Sequence, residues 1–306
     1  MLSGEKILVT GPAGRIAFGI CKTLAGNNEV WGIARFSDPK QRDEVEAIGV
    51  KTRKMDLGDG DFGDLPRDFT YVLHIAVSYE NDSYDKALRV NAEGTGLLLE
   101  HCRKAKAALV MSTVSVYKPH PDPYHAFRET DPLGDILGGI PAPYSVTKIA
   151  EEGVARFCAR AFNLPVTIAR MGCAYGERGG VPAWHLDAIA AGQPVNTRWD
   201  PMPYSLIHYD DINDQVEPLL AAATVPATIV NWAGDEPVTV QEWSNYMAGL
   251  MGVKADIKVT PVPGASIGSV GDAAKRISIT GGCKVDWKDG CRRMVEALYP
   301  DRLVRR

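Results

Sequence analysis

Lys6-Ile7-Leu8-Val9-Thr10, running into Gly11-Pro12-Ala13-Gly14-Arg15-Ile16-Ala17, is the stretch that decides the fold. A short apolar run stops at a glycine and passes into an amphipathic segment that reaches about Ala25, which predicts strand, tight turn and helix. Gly11 permits the sharp turn, and Gly14 lets a pyrophosphate approach the backbone. The amides around Ala13, Arg15 and Ile16 then face the anion at a helix start. The pattern is T-G-x-x-G-x-x-A, with Ala17 in the third small position, and differs from the dinucleotide fingerprint G-x-G-x-x-G.

Outward from this stretch, apolar strand-like runs alternate with helix-like segments. Strands are expected near 6–10, 29–34, 50–54, 70–75, 107–112, 165–170 and 228–232. This alternation predicts an α/β fold, a doubly wound parallel sheet with helices on both faces. No internal repeat, low-complexity segment or flexible linker interrupts it. The loop from about Lys118 to Pro143 is rich in proline, glycine and aspartate and is placed to border a site.

The 306 residues are 45% apolar and carry a net charge of −4, enough for a buried core and no sign of a polyanionic partner such as nucleic acid. No run is long and apolar enough for a membrane span, and Met1–Glu5 is too short for a signal peptide, so a cytoplasmic enzyme is expected. The six cysteines, at 21, 102, 158, 173, 283 and 291, form no Cys-x-x-Cys pair and are expected to be reduced thiols. The histidines show no metal-ligand spacing, and no metal site is expected.

Pro143-Tyr144-Ser145-Val146-Thr147-Lys148 opens a long helical stretch and sets a phenol and an ammonium on one face. A free tyrosine titrates near ~10, so it serves proton transfer at neutral pH only where a nearby cation favours its phenolate. Lys148 is expected to supply that cation. Alone, the spacing would fit any amphipathic helix; its place downstream of the glycine turn gives it meaning.

Together these segments resemble the extended branch of the short-chain dehydrogenase/reductases, the NAD-dependent epimerase/dehydratase family. The resemblance covers most of the chain: Asp56-Leu57, His74-Ile75-Ala76, Asn91 within Val90–Thr95, Met111–Tyr117, Ala169-Arg170 through Ala174-Tyr175-Gly176, Ile207–Asp211 and Asn231–Thr239. It implies a Rossmann-type sheet with a smaller C-terminal substrate-binding lobe. The dinucleotide-binding part would be 1–176 and 205–234, and the lobe 177–204 and 235–306. It also implies a homodimer through helices including the Tyr144 helix.

By the same resemblance, Asp56 reaches the adenine amino group, and Leu57, His74, Ala76 and Asn91 lie along the cofactor; His74 fits a satisfied core histidine equally well. Thr113 takes the hydroxyl role, with Ser112 and Ser115 as competitors, and orients the substrate oxygen. Tyr144 exchanges its proton with that oxygen while a hydride moves between nicotinamide and carbon, and Lys148 stabilises the phenolate and holds the ribose.

Cofactor choice turns on the end of the second strand. Ala34 stands where NAD-binding members usually present a carboxylate, and Arg35 follows with a planar cation suited to a 2′-phosphate. NADP(H) is therefore expected, with NAD(H) as the other option. Val114 and Ser115 replace the acidic pair of sugar 4,6-dehydratases. Tyr204 stands where nucleotide-sugar enzymes commonly place an arginine against the diphosphate, with Arg198 or Arg178 able to supply the cation from elsewhere. Cys173 replaces an expected asparagine. Trp184, Trp199, Pro201, Met202, Pro203 and Tyr204 give the lobe an apolar cast, from a less charged substrate or from packing. The expected function is an NADP(H)-dependent oxidoreductase interconverting a carbonyl and an alcohol on a small substrate other than a nucleotide sugar. The alternatives are a sugar or nucleotide-sugar epimerase and a non-catalytic NADP sensor.

Overall fold

Short apolar runs bounded by glycine or polar residues form the central strands in a computed structural model that describes residues 2–79, 83–134 and 142–304. These are β1 (Lys6–Thr10), β2 (Glu29–Ala34), β3 (Lys51–Lys54), β4 (Tyr71–His74), β5 (Ala107–Thr113), β6 (Val166–Met171) and β7 (Thr228–Trp232). They build one seven-stranded parallel sheet in the order β7-β6-β5-β4-β1-β2-β3. Ile7 of β1 lies between Val30 of β2 and Tyr71 of β4, so the strand order reverses beside β1. That reversal opens a crevice at the carboxyl ends of β1 and β4, where open α/β sheets bind ligands.

The chain divides into two compact units, residues 1–116, 140–170 and 213–230, and residues 117–139, 171–212 and 231–306. In the first, Leu8, Ile33, Val72 and Val110 of the strands pack with Leu98, Leu99, Ala155 and Ala159 of the Gly94–His101 and Ala142–Phe162 helices. All seven residues of β5 are buried, as a central parallel strand covered on both faces requires. Residues 135–141 of the loop expected from Lys118 to Pro143 lie outside the described residues, as does the Pro143 side chain.

The second unit has its own core, in which Leu186, Val195, Met202, Trp243, Met247 and Met294 are buried together. Its Val240–Leu250 helix starts on a capping box, the Thr239 hydroxyl accepting from the Glu242 amide and the Glu242 carboxylate accepting in return. All six cysteines are free. Burial pushes Cys21, Cys102, Cys173, Cys283 and Cys291 up to about 12 and Cys158 to about 11. No described helix is long and apolar enough to cross a membrane.

Candidate active site

The glycine turn is set by backbone constraints. Gly11 has φ of +66°, and a Cβ there would meet the Ala76 backbone at 3.2 Å; one at Gly14 would meet the Gly11 carbonyl at 3.1 Å. The Arg15–Ala25 helix begins at Gly14 with no side-chain cap, so the positive end of its dipole faces the turn. Thr10 ties β1 to β4 at the same level. Its hydroxyl oxygen accepts from the Ile75 and Ala76 amides, both at 2.9 Å, which leaves its proton for His74 Nδ1 at 2.9 Å. Thr95 donates to the Asn91 carbonyl and accepts from His74 Nε2 at 2.7 Å, so the network assigns a neutral, Nε2-protonated ring. Burial, reinforced by the Lys148 charge, pushes His74 down to about 3, in line with that tautomer.

The Ala142–Phe162 helix buries Lys148, Glu151, Glu152, Ala155, Cys158 and Ala159, a stripe at helical spacing against the sheet. Tyr144 lies at the top of this face, half-buried and hydrogen-bonded through its side chain to Thr113. Of the competing hydroxyls, Ser112 is committed to the Glu152 carboxylate at 2.6 Å, and the Ser115 amide donates to Thr113. Lys148 donates to the Met111 carbonyl at 2.6 Å and forms an ion pair with Glu151. Asn91 accepts from the Ser78 amide and donates to the Ser78 carbonyl and to Thr147, clamping the loop after β4 to the helix.

The charge balance differs from the sequence expectation. Tyr144 is raised above its ordinary value, first by burial; the Thr113 hydrogen bond lowers it, the Glu151 charge raises it, and a hydrogen bond from Tyr79 lowers it. Lys148 forms its ion pair with Glu151, which the sequence reading did not consider.

The structure thus brings Gly11, Gly14, His74, Ala76, Asn91, Thr113, Tyr144 and Lys148 to the ends of β1, β4 and β5. Ala13 and Ile16 are half-buried in the turn, and Arg15 is exposed yet close enough to influence Tyr79. Asp56 caps the following turn by accepting from the Gly58 amide at 2.9 Å, and the Leu57 side chain packs in the core. Arg35 is exposed at the end of β2. Two residues escaped the sequence reading. Tyr79 stacks on Tyr144 with ring centroids 5.2 Å apart, and Glu151 sits within the buried stripe. The helical period, which carries Glu151 to the Lys148 face, was available to find Glu151; nothing comparable pointed to Tyr79.

In the second unit, Met202 and Pro203 are buried in the local core, and Tyr204 packs against Trp243. Arg198 reaches Tyr204, donating from Nη2 to its hydroxyl at 3.4 Å. Its Nη1 is buried and has no acceptor among the described residues.

Residues 7–228 match the model of the NAD dependent epimerase/dehydratase family. The chain belongs to that family. Its fold is that of the extended short-chain dehydrogenase/reductases. It is similar to the UDP-glucuronic acid 4-epimerase of Bacillus cereus in complex with UDP-glucuronic acid and NAD, at 22% identity, TM-score 0.83, covering 95% of this chain and 98% of that one. It is also similar to the UDP-N-acetylglucosamine 4-epimerase of Methanobrevibacter ruminantium M1 in complex with UDP-N-acetylmuramic acid, at 18% identity and TM-score 0.84, covering 98% and 100%. A third is the UDP-glucose 4-epimerase of Thermotoga maritima with UDP-glucose, at 21% identity and TM-score 0.81, covering 97% and 99%.

These neighbours overturn the expected NADP(H)-dependent oxidoreductase acting on a substrate other than a nucleotide sugar. The physical reason lies in the two observations that led there. Much of the apolar run around 202–204 is packing in the unit's own core, and a cation, Arg198, lies beside Tyr204.

Proposed function

We propose that this protein is a nucleotide-sugar epimerase that inverts a secondary alcohol by removing and returning a hydride within one turnover. The observation that carries the substrate class is Arg198, whose buried Nη1 has no acceptor among the described residues and is suited to a diphosphate oxygen. Tyr144 takes the proton of the sugar hydroxyl as its carbon is oxidised and gives it back on reduction. Thr113, hydrogen-bonded to Tyr144, orients that oxygen. NAD(P), when bound, supplies the hydride acceptor and donor. The residues suit it, because glycine at 11 and 14 allows the tight turn that leads into an uncapped helix start, whose amides are suited to a pyrophosphate. Gly11, Ala13, Gly14, Arg15 and Ile16 are proposed to cradle that pyrophosphate, with Asp56, Leu57, His74, Ala76 and Asn91 lining the rest and Lys148 holding the ribose.

One observation favours NADP over NAD: Arg35 is exposed after β2, and Ala34 leaves no carboxylate there. The NAD complexes of similar structures weigh the other way, and titration with both nucleotides decides. We assign residues 1–176 and 205–234 to nucleotide binding and 177–204 and 235–306 to the substrate lobe. A homodimer is proposed through the helices that expose Leu97, Val146 and Phe157, and a cytoplasmic location in keeping with free thiols.

The test is to incubate the protein with UDP-hexoses and catalytic nucleotide. Isomerised product with no stoichiometric change in nicotinamide absorbance is expected, and Arg198→Met is expected to raise KM about tenfold or more through a lost charged hydrogen bond. Stoichiometric consumption of the nucleotide, or an unchanged KM, would reject the reading.

A further inference from the structure

Two adjacent glutamates occupy the buried stripe of the Ala142–Phe162 helix, and their surroundings differ. Glu152 is fully engaged: Arg170 donates from Nε at 2.8 Å and from Nη2 at 2.7 Å, and Ser112 donates at 2.6 Å. Glu151 is 1% exposed, and neither of its oxygens has a hydrogen bond among the described residues beyond the ion pair with Lys148. His74 Nε2 lies 3.6 Å from it, but that nitrogen already donates to Thr95. A carboxylate withdrawn from water with one cation for company is costly to keep ionised.

We propose that Glu151 is a positioning residue that competes with Tyr144 for the charge of Lys148, so that its protonation state sets how readily Tyr144 gives up its proton. Ionised, Glu151 draws the ammonium to itself and opposes the Tyr144 phenolate, seven residues away on the same helix, by like charge. Protonated, it leaves the ammonium to the phenolate. The inference rests on the proposed role of Tyr144 in proton transfer.

The groups that face Glu151 are few. Lys148, Glu152 and Tyr144 come from its own helix, and neutral His74 comes from β4. The packed elements at 84–101 expose Asp85, Lys86, Arg89 and Glu93, and their buried polar groups are Asn91, Thr95 and, at the helix end, His101, which is bonded to the Pro66 carbonyl. β5 and the turn after it add only hydroxyls and the Met111 carbonyl. Burial raises Glu151 to about 7 despite the lowering effect of Lys148. The exchange therefore falls in the neutral range.

The experiment is an ultraviolet difference titration of the phenolate, comparing the wild-type protein with Glu151→Gln and subtracting Tyr144→Phe backgrounds to isolate Tyr144. Glu151→Gln is expected to move the Tyr144 midpoint down by about one pH unit. A merely structural Glu151 would leave the midpoint in place, and an unchanged or higher midpoint overturns the inference. Should Glu151→Gln fail to fold, side-chain carboxyl NMR of the wild-type protein replaces it. One glutamate titrating near pH about 7 supports the inference, and all glutamates titrating in the ordinary range overturn it. A Tyr144→Phe protein that keeps epimerase turnover would instead remove the proton-transfer reading and leave the titration result standing.

Discussion

The glycine turn and the Tyr144 cluster stand at the carboxyl ends of the same sheet, and they are made of different material. The turn is backbone: a left-handed Gly11, a close approach to Ala76 and a helix start with no side-chain cap. The cluster is side chains taken from β4, β5 and one long helix, each holding the protonation state of another. Backbone geometry tolerates little change but is insensitive to pH. The buried cluster depends on every neighbouring charge.

Three substitutions sharpen that contrast. Tyr144→Phe keeps the ring and its stacking on Tyr79 but removes the ionisable group. Turnover is expected to fall about 10²–10⁴-fold with near-normal nucleotide binding, read from steady-state kinetics and a binding titration. Equal losses in binding and turnover would show that the two regions are not separable. Arg170→Met leaves the Glu152 carboxylate buried without its bidentate partner, and denaturant unfolding should show a loss of about 3–5 kcal/mol. A cost near zero would mean that the Arg170–Glu152 pair adds nothing to stability. Gly11→Ala forces a side chain into φ of +66° against Ala76. It should destabilise by about 1–2 kcal/mol and weaken nucleotide binding about tenfold, while the Tyr144 titration midpoint stays where it was. Movement of that midpoint would break the comparison.

The same contrast explains how much could be read beforehand. Strands and the glycine turn were legible because apolar runs and glycines report local backbone preference directly, and β1 and β2 fall where the runs at 6–10 and 29–34 place them. Tyr144, Lys148 and Thr113 were legible as neighbours through the helical period and the end of a buried strand. The direction of the Tyr144 shift was not, because it is set first by burial, which only the folded chain fixes, and then by Glu151, which lies beside His74 from far away in sequence. Apolar residues at 202–204 misled because a one-dimensional pattern does not separate a pocket wall from a core. Arg198 is offset from the family position by a few residues, and only folding brings it to Tyr204.

The inert thiols carry a practical consequence. Since thiolate is the reactive form, the five buried cysteines, held near 11 or 12, resist alkylation while their surroundings stay closed, whereas Cys283 is partly exposed. Cys21, Cys102 and Cys158 belong to one compact unit, and Cys173, Cys283 and Cys291 to the other. Slow labelling of the native enzyme therefore acts as a built-in clock for transient opening, one that times each half of the molecule without an introduced probe.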